Sequence, residues 1–189
     1  MKQIEGYNIA VRTFQQKYLA LPGDMALADA LRFNFYRDGT NGMTNTGCAT
    51  SCGNGDGIIG KTGASSSDDQ GYQSGEPHLF WLDLMKSGLI TDTITTIYVD
   101  ESNEDSTDVK AYLPKGKLGN TYVYAWGNGV APVLDSGVGS NADGRNYFSI
   151  SGVSRFAGYN AGLFKYTSPN IKVIDAYNID TKIDDGLPQ

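Results

Sequence analysis

Histidine is nearly missing from this chain. His78 is the single one in 189 residues, and there are two cysteines, Cys48 and Cys52. That set cannot furnish a zinc centre of the usual four Cys and His ligands, nor a Cys–His pair beside a separate metal site. His78 stands between Pro77 and Leu79-Phe80-Trp81, at what reads as a helix start, a place for packing or capping rather than proton transfer. Basic clusters are also lacking. Residues 1–95 carry 7 basic and 10 acidic side chains and residues 96–189 carry 8 and 11, for a net charge of −6. Phosphate-backbone binding needs grouped Lys and Arg to release counterions, so nucleic acid is a poor candidate partner. No signal-peptide pattern is present, and no apolar run approaches the roughly 18–20 residues that span a bilayer.

Catalytic signatures are equally scarce. The Gly-x-Ser-x-Gly nucleophile turn does not occur, since Gly137-Val138-Gly139-Ser140 lacks the second glycine. Adjacent acids such as Asp68-Asp69 and Asp184-Asp185 are common in proteins and do not by themselves define a glycosidase pair. The expectation is a protein that is not an enzyme, with no catalytic residue.

What is present is a globular composition: 40% apolar, 19% charged, with 24 Gly and 12 Tyr. Disorder is excluded, and the glycine and tyrosine point to many loops and to strands with aromatic faces. The length suits a single domain spanning 1–189. Ile4, Tyr7, Val11, Phe14, Tyr18 and Leu21 recur at spacings of three and four, which predicts an amphipathic helix over residues 1–21, broken at Leu21-Pro22-Gly23. Asp24 is placed to cap a second short helix from Met25 to about Phe33. Residues 37–76 are Gly, Asn, Thr, Ser and Asp with little apolar periodicity and predict a long polar loop. A third helix follows Pro77 and closes near Gly88.

Beyond Ile90 the pattern turns to period two. Thr93–Val99, Val109–Leu113, Thr121–Trp126, Asn146–Ile150 and Leu163–Tyr166 predict an antiparallel sheet region over 91–167. Ser168-Pro169 resembles a cap followed by proline at the first helical position, predicting a C-terminal helix and tail over 168–189. The fold class is therefore α+β: a long N-terminal helix packed on an antiparallel β-sheet, with additional short helices and a long loop.

Cys48 and Cys52 form a C-x3-C pair in that loop and read as a local disulfide, which implies export; two free cytosolic thiols are the alternative. Gly53-Asn54-Gly55-Asp56-Gly57 partly matches a calcium loop, with Asn54 and Asp56 at the third and fifth positions. The first position would be Cys52 and the twelfth Gly63, so an EF-hand is excluded, leaving an irregular calcium site or a plain turn. The acidic run Asp100, Glu101, Glu104, Asp105 and Asp108 reads as a solvated loop or a cation site.

Three stretches together resemble the type IV pilin-like proteins, in particular the pseudopilins of type II secretion. They are Phe14–Met25 with its Leu-Pro-Gly-Asp turn, Gly53–Ile58 with Glu76–Trp81 and Gly88-Leu89-Ile90, and Ala176–Pro188. The resemblance implies a pilin-like domain cleaved by a prepilin peptidase, N-methylated, held in the inner membrane by an apolar helix and polymerised with itself and other pilin-like subunits. It places the protein on the periplasmic face of the bacterial inner membrane or in an extracellular fibre, either a type IV pilus or a type II secretion pseudopilus. Related pseudopilins hold calcium in loops, which keeps Asn54 and Asp56 as candidate ligands. The family's cleavage site and apolar half-helix do not occur in these residues, so processing and membrane anchoring are tied to no position here. Met1-Lys2-Gln3-Ile4-Glu5 enters the helical pattern with no preceding loop, so Met1 is expected to be an expression start that replaces a native leader and membrane segment. Without that segment the chain is expected to be monomeric. The alternative from a different class is an exported binding module for glycan or protein, built on Tyr122, Tyr124 and Trp126.

Overall fold

The computed structural model describes residues 2–35, 53–59, 76–95, 105–106, 109–127, 145–157, 166–168 and 170–183. It is a mixed helix and strand structure with an N-terminal helix and a small antiparallel sheet. Helix α1 spans Lys2–Tyr18 and buries Tyr7, Ala10 and Phe14. Ile4, Val11, Tyr18 and Leu21 lie half-buried along the same flank, so the predicted stripe is the packed face of the helix, with Ala10 added at its centre. The helix ends before the predicted proline break. Leu19 takes a left-handed backbone at φ 57° while its N–H still bonds the Gln15 carbonyl, and its side chain is 92% exposed. That conformation is usually left to glycine because Cβ crowds the carbonyl.

Helix α2 is short, Leu27–Arg32, and its cap residue Ala26 makes no side-chain hydrogen bond. The expected cap, Asp24, is committed elsewhere. Asn34 at φ 60° terminates α2, with Phe35 N–H reaching back to the Ala30 carbonyl, and this turns Phe35 under Phe14 at 5.4 Å and against Tyr18 at 4.9 Å. Helix α3 spans Glu76–Lys86. It closes as its sequence predicts: Gly88 sits at φ 71°, and Leu89 N–H bonds the Leu84 carbonyl, the wrap-back that a left-handed glycine permits.

Among the described residues, strands β1 (Asp105–Ser106), β2 (Tyr122–Gly127) and β4 (Tyr166–Ser168) each pair antiparallel with β3 (Asn146–Ala157). The β2–β3 ladder holds six residue pairs from Tyr122↔Ser151 to Gly127↔Asn146. Three expectations are corrected. Val109–Leu113 is not a strand but a 3-10 turn over Val109–Ala111, because Leu113 and Tyr112 N–H both return to the Val109 carbonyl. Residues 93–95 lie in irregular backbone, with Thr95 N–H bonded to the Ala111 carbonyl. Ser168 ends β4 opposite Gly152 instead of capping a helix, and helix α4 begins later, spanning Val173–Ile183. Val173, Ile174 and Tyr177 on α4 are exposed.

The core explains how α1 meets the sheet. Its contacts run mainly to α3, and α3 in turn lies on β2. Trp81, fully buried on α3, receives the Tyr7 ring edge-on at 4.9 Å and lies 5.8 Å from Phe148 of β3, while Tyr7 reaches Phe148 at 6.2 Å. The predicted helix-on-sheet arrangement therefore includes a second helix, whose broad apolar face (Leu79, Phe80, Leu84) needed a partner on both sides.

Candidate functional site

The site singled out by sequence, residues 53–59, is stitched to the turn that follows α1. Asp24 is 2% exposed, and its carboxylate accepts Gly55 N–H on Oδ1 and Gly57 N–H on Oδ2, each at 2.8 Å. Its backbone carbonyl accepts Gly55 N–H as well, at 2.8 Å. Glu76, at the first turn of α3 and buried, accepts Asn54 N–H at 3.2 Å. Asp83, also buried on α3, accepts Gly23 N–H at 2.8 Å. From the sheet side, Asn146 clamps the far end of the loop: Ile59 N–H donates to its Oδ1 at 2.7 Å and its Nδ2 donates to the Gly57 carbonyl at 2.8 Å. Three buried acids and one amide thus satisfy backbone N–H groups that neither helix nor sheet could serve.

Glycine is required at two points of this joint. Gly23 is at φ 82° and a Cβ there would run into the Glu76 carbonyl and the Phe80 backbone; Gly53 is at φ 70° and a Cβ would meet the Met25 carbonyl. The Leu-Pro-Gly-Asp turn therefore lies directly on the first turn of α3, and the Gly53 segment lies directly on the turn. Burial raises the Asp24 carboxyl above the usual carboxylate range, opposed by the Gly57 and Gly55 amides.

Asn54 and Asp56 are exposed on the outside of this loop, and their side-chain oxygens are used internally. Asp56 N–H donates to Asn54 Oδ1 at 2.8 Å, Ile58 N–H donates to Asp56 Oδ1 at 2.8 Å, and Asn54 Nδ2 donates to Asp56 Oδ2 at 2.7 Å. These are two consecutive Asx turns, the local economy expected of Asn and Asp beside glycine. Among the described residues no three His, Cys, Asp or Glu side chains gather closely enough to hold an ion. Cys48 and Cys52, the side chain of His78 and most of the 100–108 acidic run lie outside the described residues.

Of the aromatic face expected of β2, Tyr124 is not exposed. It is buried, and burial pushes its phenol pKa up despite a hydrogen bond from Ser149. Tyr122 and Trp126 are half-buried; Trp126 Nε1 donates to Ser149 Oγ at 2.7 Å and its ring stacks on Tyr147 at 4.9 Å. Both faces of β2 are covered in its middle, which alternation alone does not reveal. What the sequence reading missed is the Asp24 joint. The signal is an acid directly after a Pro-Gly turn, which local sequence pairs with the next helix as a cap, and a Gly-Asn-Gly-Asp-Gly run with no partner in sequence. Comparison with protein-family models, curated proteins and solved structures finds no match for this chain.

Proposed function

We propose that the protein is a structural subunit of a helical fibre, a type IV pilus or type II secretion pseudopilus, that polymerises through an apolar helix leading into α1. The observation that carries this reading is the joint just described. The phrases that resemble the pilin-like family at residues 21–24, 53–58 and 76–81 are separated by some fifty positions of chain, yet Gly23, Asp24, Asn54, Gly55, Gly57 and Glu76, with Asp83 two residues beyond, meet in one set of hydrogen bonds whose acids are buried. A role as a packing unit also agrees with α1, whose covered flank rests on the protein's own core while Ile9 and Leu19 face outward. The proposal assigns no reaction and no cofactor to the chain.

The reading requires a leader and about twenty apolar residues ahead of α1, enough to span a bilayer as helix. The test is expression of the natural full-length protein with its secretion or pilus machinery, followed by membrane fractionation and electron microscopy. Processed, membrane-held protein that enters fibres, and loses them when charges replace upstream apolar positions while the domain stays folded, is the expected result. A full-length protein released as a free monomer without processing would overturn it in favour of the exported binding module.

A further inference from the structure

A pocket of about 230 Å³ lies between α1 and the β2–β3 ladder. Its floor is apolar: Val11, Leu21, Ile59, Phe80 and Phe148. Its walls are held by contacts already described. Phe148 packs against Phe80 and Trp81 at 5.8 Å each, Tyr147 stacks on Trp126, and Asn146 is fixed by its two bonds to the 57–59 segment. The pocket is therefore pre-formed, so little ordering opposes a ligand that fits.

The remaining wall is one edge of α1, where Asn8, Arg12 and Gln15 stand about one turn apart and exposed. Among the described residues, none of these three side chains is hydrogen-bonded or ion-paired; the ion pair found there is Arg32–Asp29. On α1 itself the positions one turn from Arg12 hold Asn8, Ile9, Gln15 and Gln16, so no acid of its own helix can neutralise it. Among the described residues, no acidic side chain lines the pocket. An apolar floor beneath an unpaired guanidinium flanked by two amides is complementary to an amphipathic anion. The guanidinium offers a fork of N–H donors that matches a carboxylate, and the amides offer further donors. The volume is about one and a half times the roughly 150 Å³ cavity that accepts a benzene, enough for one aromatic or branched side chain with a short stem.

We infer that this pocket binds a small amphipathic carboxylate, with the carboxylate on Arg12 and its apolar body on Phe80 and Phe148. Two sources present that chemistry, a free aryl or alkyl acid and the C-terminal residue of a peptide. The described lining comes from a single chain, so the test below does not require fibre assembly.

The test is an NMR titration of the folded chain, reading backbone amides of Val11, Arg12, Asn146 and Phe148. The probes are 3-phenylpropionate, its primary amide, and a tetrapeptide ending in phenylalanine with a free or an amidated C-terminus. At least one acid is expected to shift those amides with affinity in the millimolar range, and the matching amide to bind roughly tenfold more weakly. Binding confined to the free acid, or shared by the peptide, assigns the source. Arg12→Gln and, separately, Gln15→Glu should weaken the acid about tenfold and the neutral amide clearly less, because only the acid carries a charge that either substitution acts on while the apolar floor is untouched. Equal binding of acid and amide, no effect of either substitution, or no shift with any probe would overturn the inference.

Discussion

Replacing Asp24 by Asn tests the joint at its centre while preserving shape. The carboxylate receives Gly55 N–H on one oxygen and Gly57 N–H on the other, both at 2.8 Å. Asn keeps one acceptor and turns an NH2 toward the other N–H, so one charge-assisted bond of about 1.5–3 kcal/mol is lost and two donors are left facing each other. Against this, Asn avoids the desolvation that raises the Asp24 pKa. We expect a net cost of roughly 2–3 kcal/mol at neutral pH. Asp56→Ala removes only exposed Asx-turn contacts and should cost less than about 1 kcal/mol. Urea unfolding followed by tryptophan fluorescence measures both. Hydrogen exchange localises the effect, since the Gly55 and Gly57 amides should lose protection in Asp24→Asn before the α3 amides do. The pH dependence has a definite sign. A carboxyl raised in the folded state binds its proton more tightly there than in the unfolded chain, so this group's contribution grows as pH falls from above its folded pKa toward the ordinary 3.8. The stability gap between the native protein and Asp24→Asn should therefore widen on acidification. A cost below that of Asp56→Ala, or unchanged protection of Gly57, would refute the account of the joint; a gap that narrows in acid would refute the desolvation argument.

Two further substitutions follow from buried groups. Tyr7 is held near pKa 12 by burial, opposed by the Gln3 hydrogen bond and reinforced by the Asp92 charge, so stability present below pH 10 should decline by about 2–3 kcal/mol as pH rises toward 12. Tyr7→Phe should flatten that alkaline slope in pH-dependent unfolding. Gly23→Ala places a Cβ against the backbone of Glu76 and Phe80 at a left-handed φ, and should cost about 3 kcal/mol or more. Gly55→Ala, left-handed at φ 76° but facing open space, should cost only the roughly 1–2 kcal/mol of the backbone conformation. Equal urea midpoints for the two alanine variants would show that the close approach of turn and helix is wrong.

Local pattern was enough to locate α1, α3, β2 and the start of β3. Tyr7, Phe14 and Tyr18 at helical spacing, and Gly88 after an apolar turn, are statements about neighbours within one or two turns of chain. Such statements fail where a residue's partner is remote. Asp24 reads as a helix cap because the nearest N–H groups in sequence belong to α2, yet its carboxylate goes to amides 31 and 33 positions away. Val109–Leu113 has strand-like residues, but its N–H groups turn back on the Val109 carbonyl, while residues of the opposite strand are taken by β2 and β4. The burial of Tyr124 follows the same rule: alternation assigns a side chain to one face of β2 and does not say whether that face is covered. The Arg12 pocket needs both kinds of information. The sequence by itself determined that no acid lies one helical turn from Arg12. Only the tertiary structure decided that Phe80, Phe148 and Ile59 form an apolar floor beside it, because they come from three segments whose spacing along the chain carries no record of where the core brings them together.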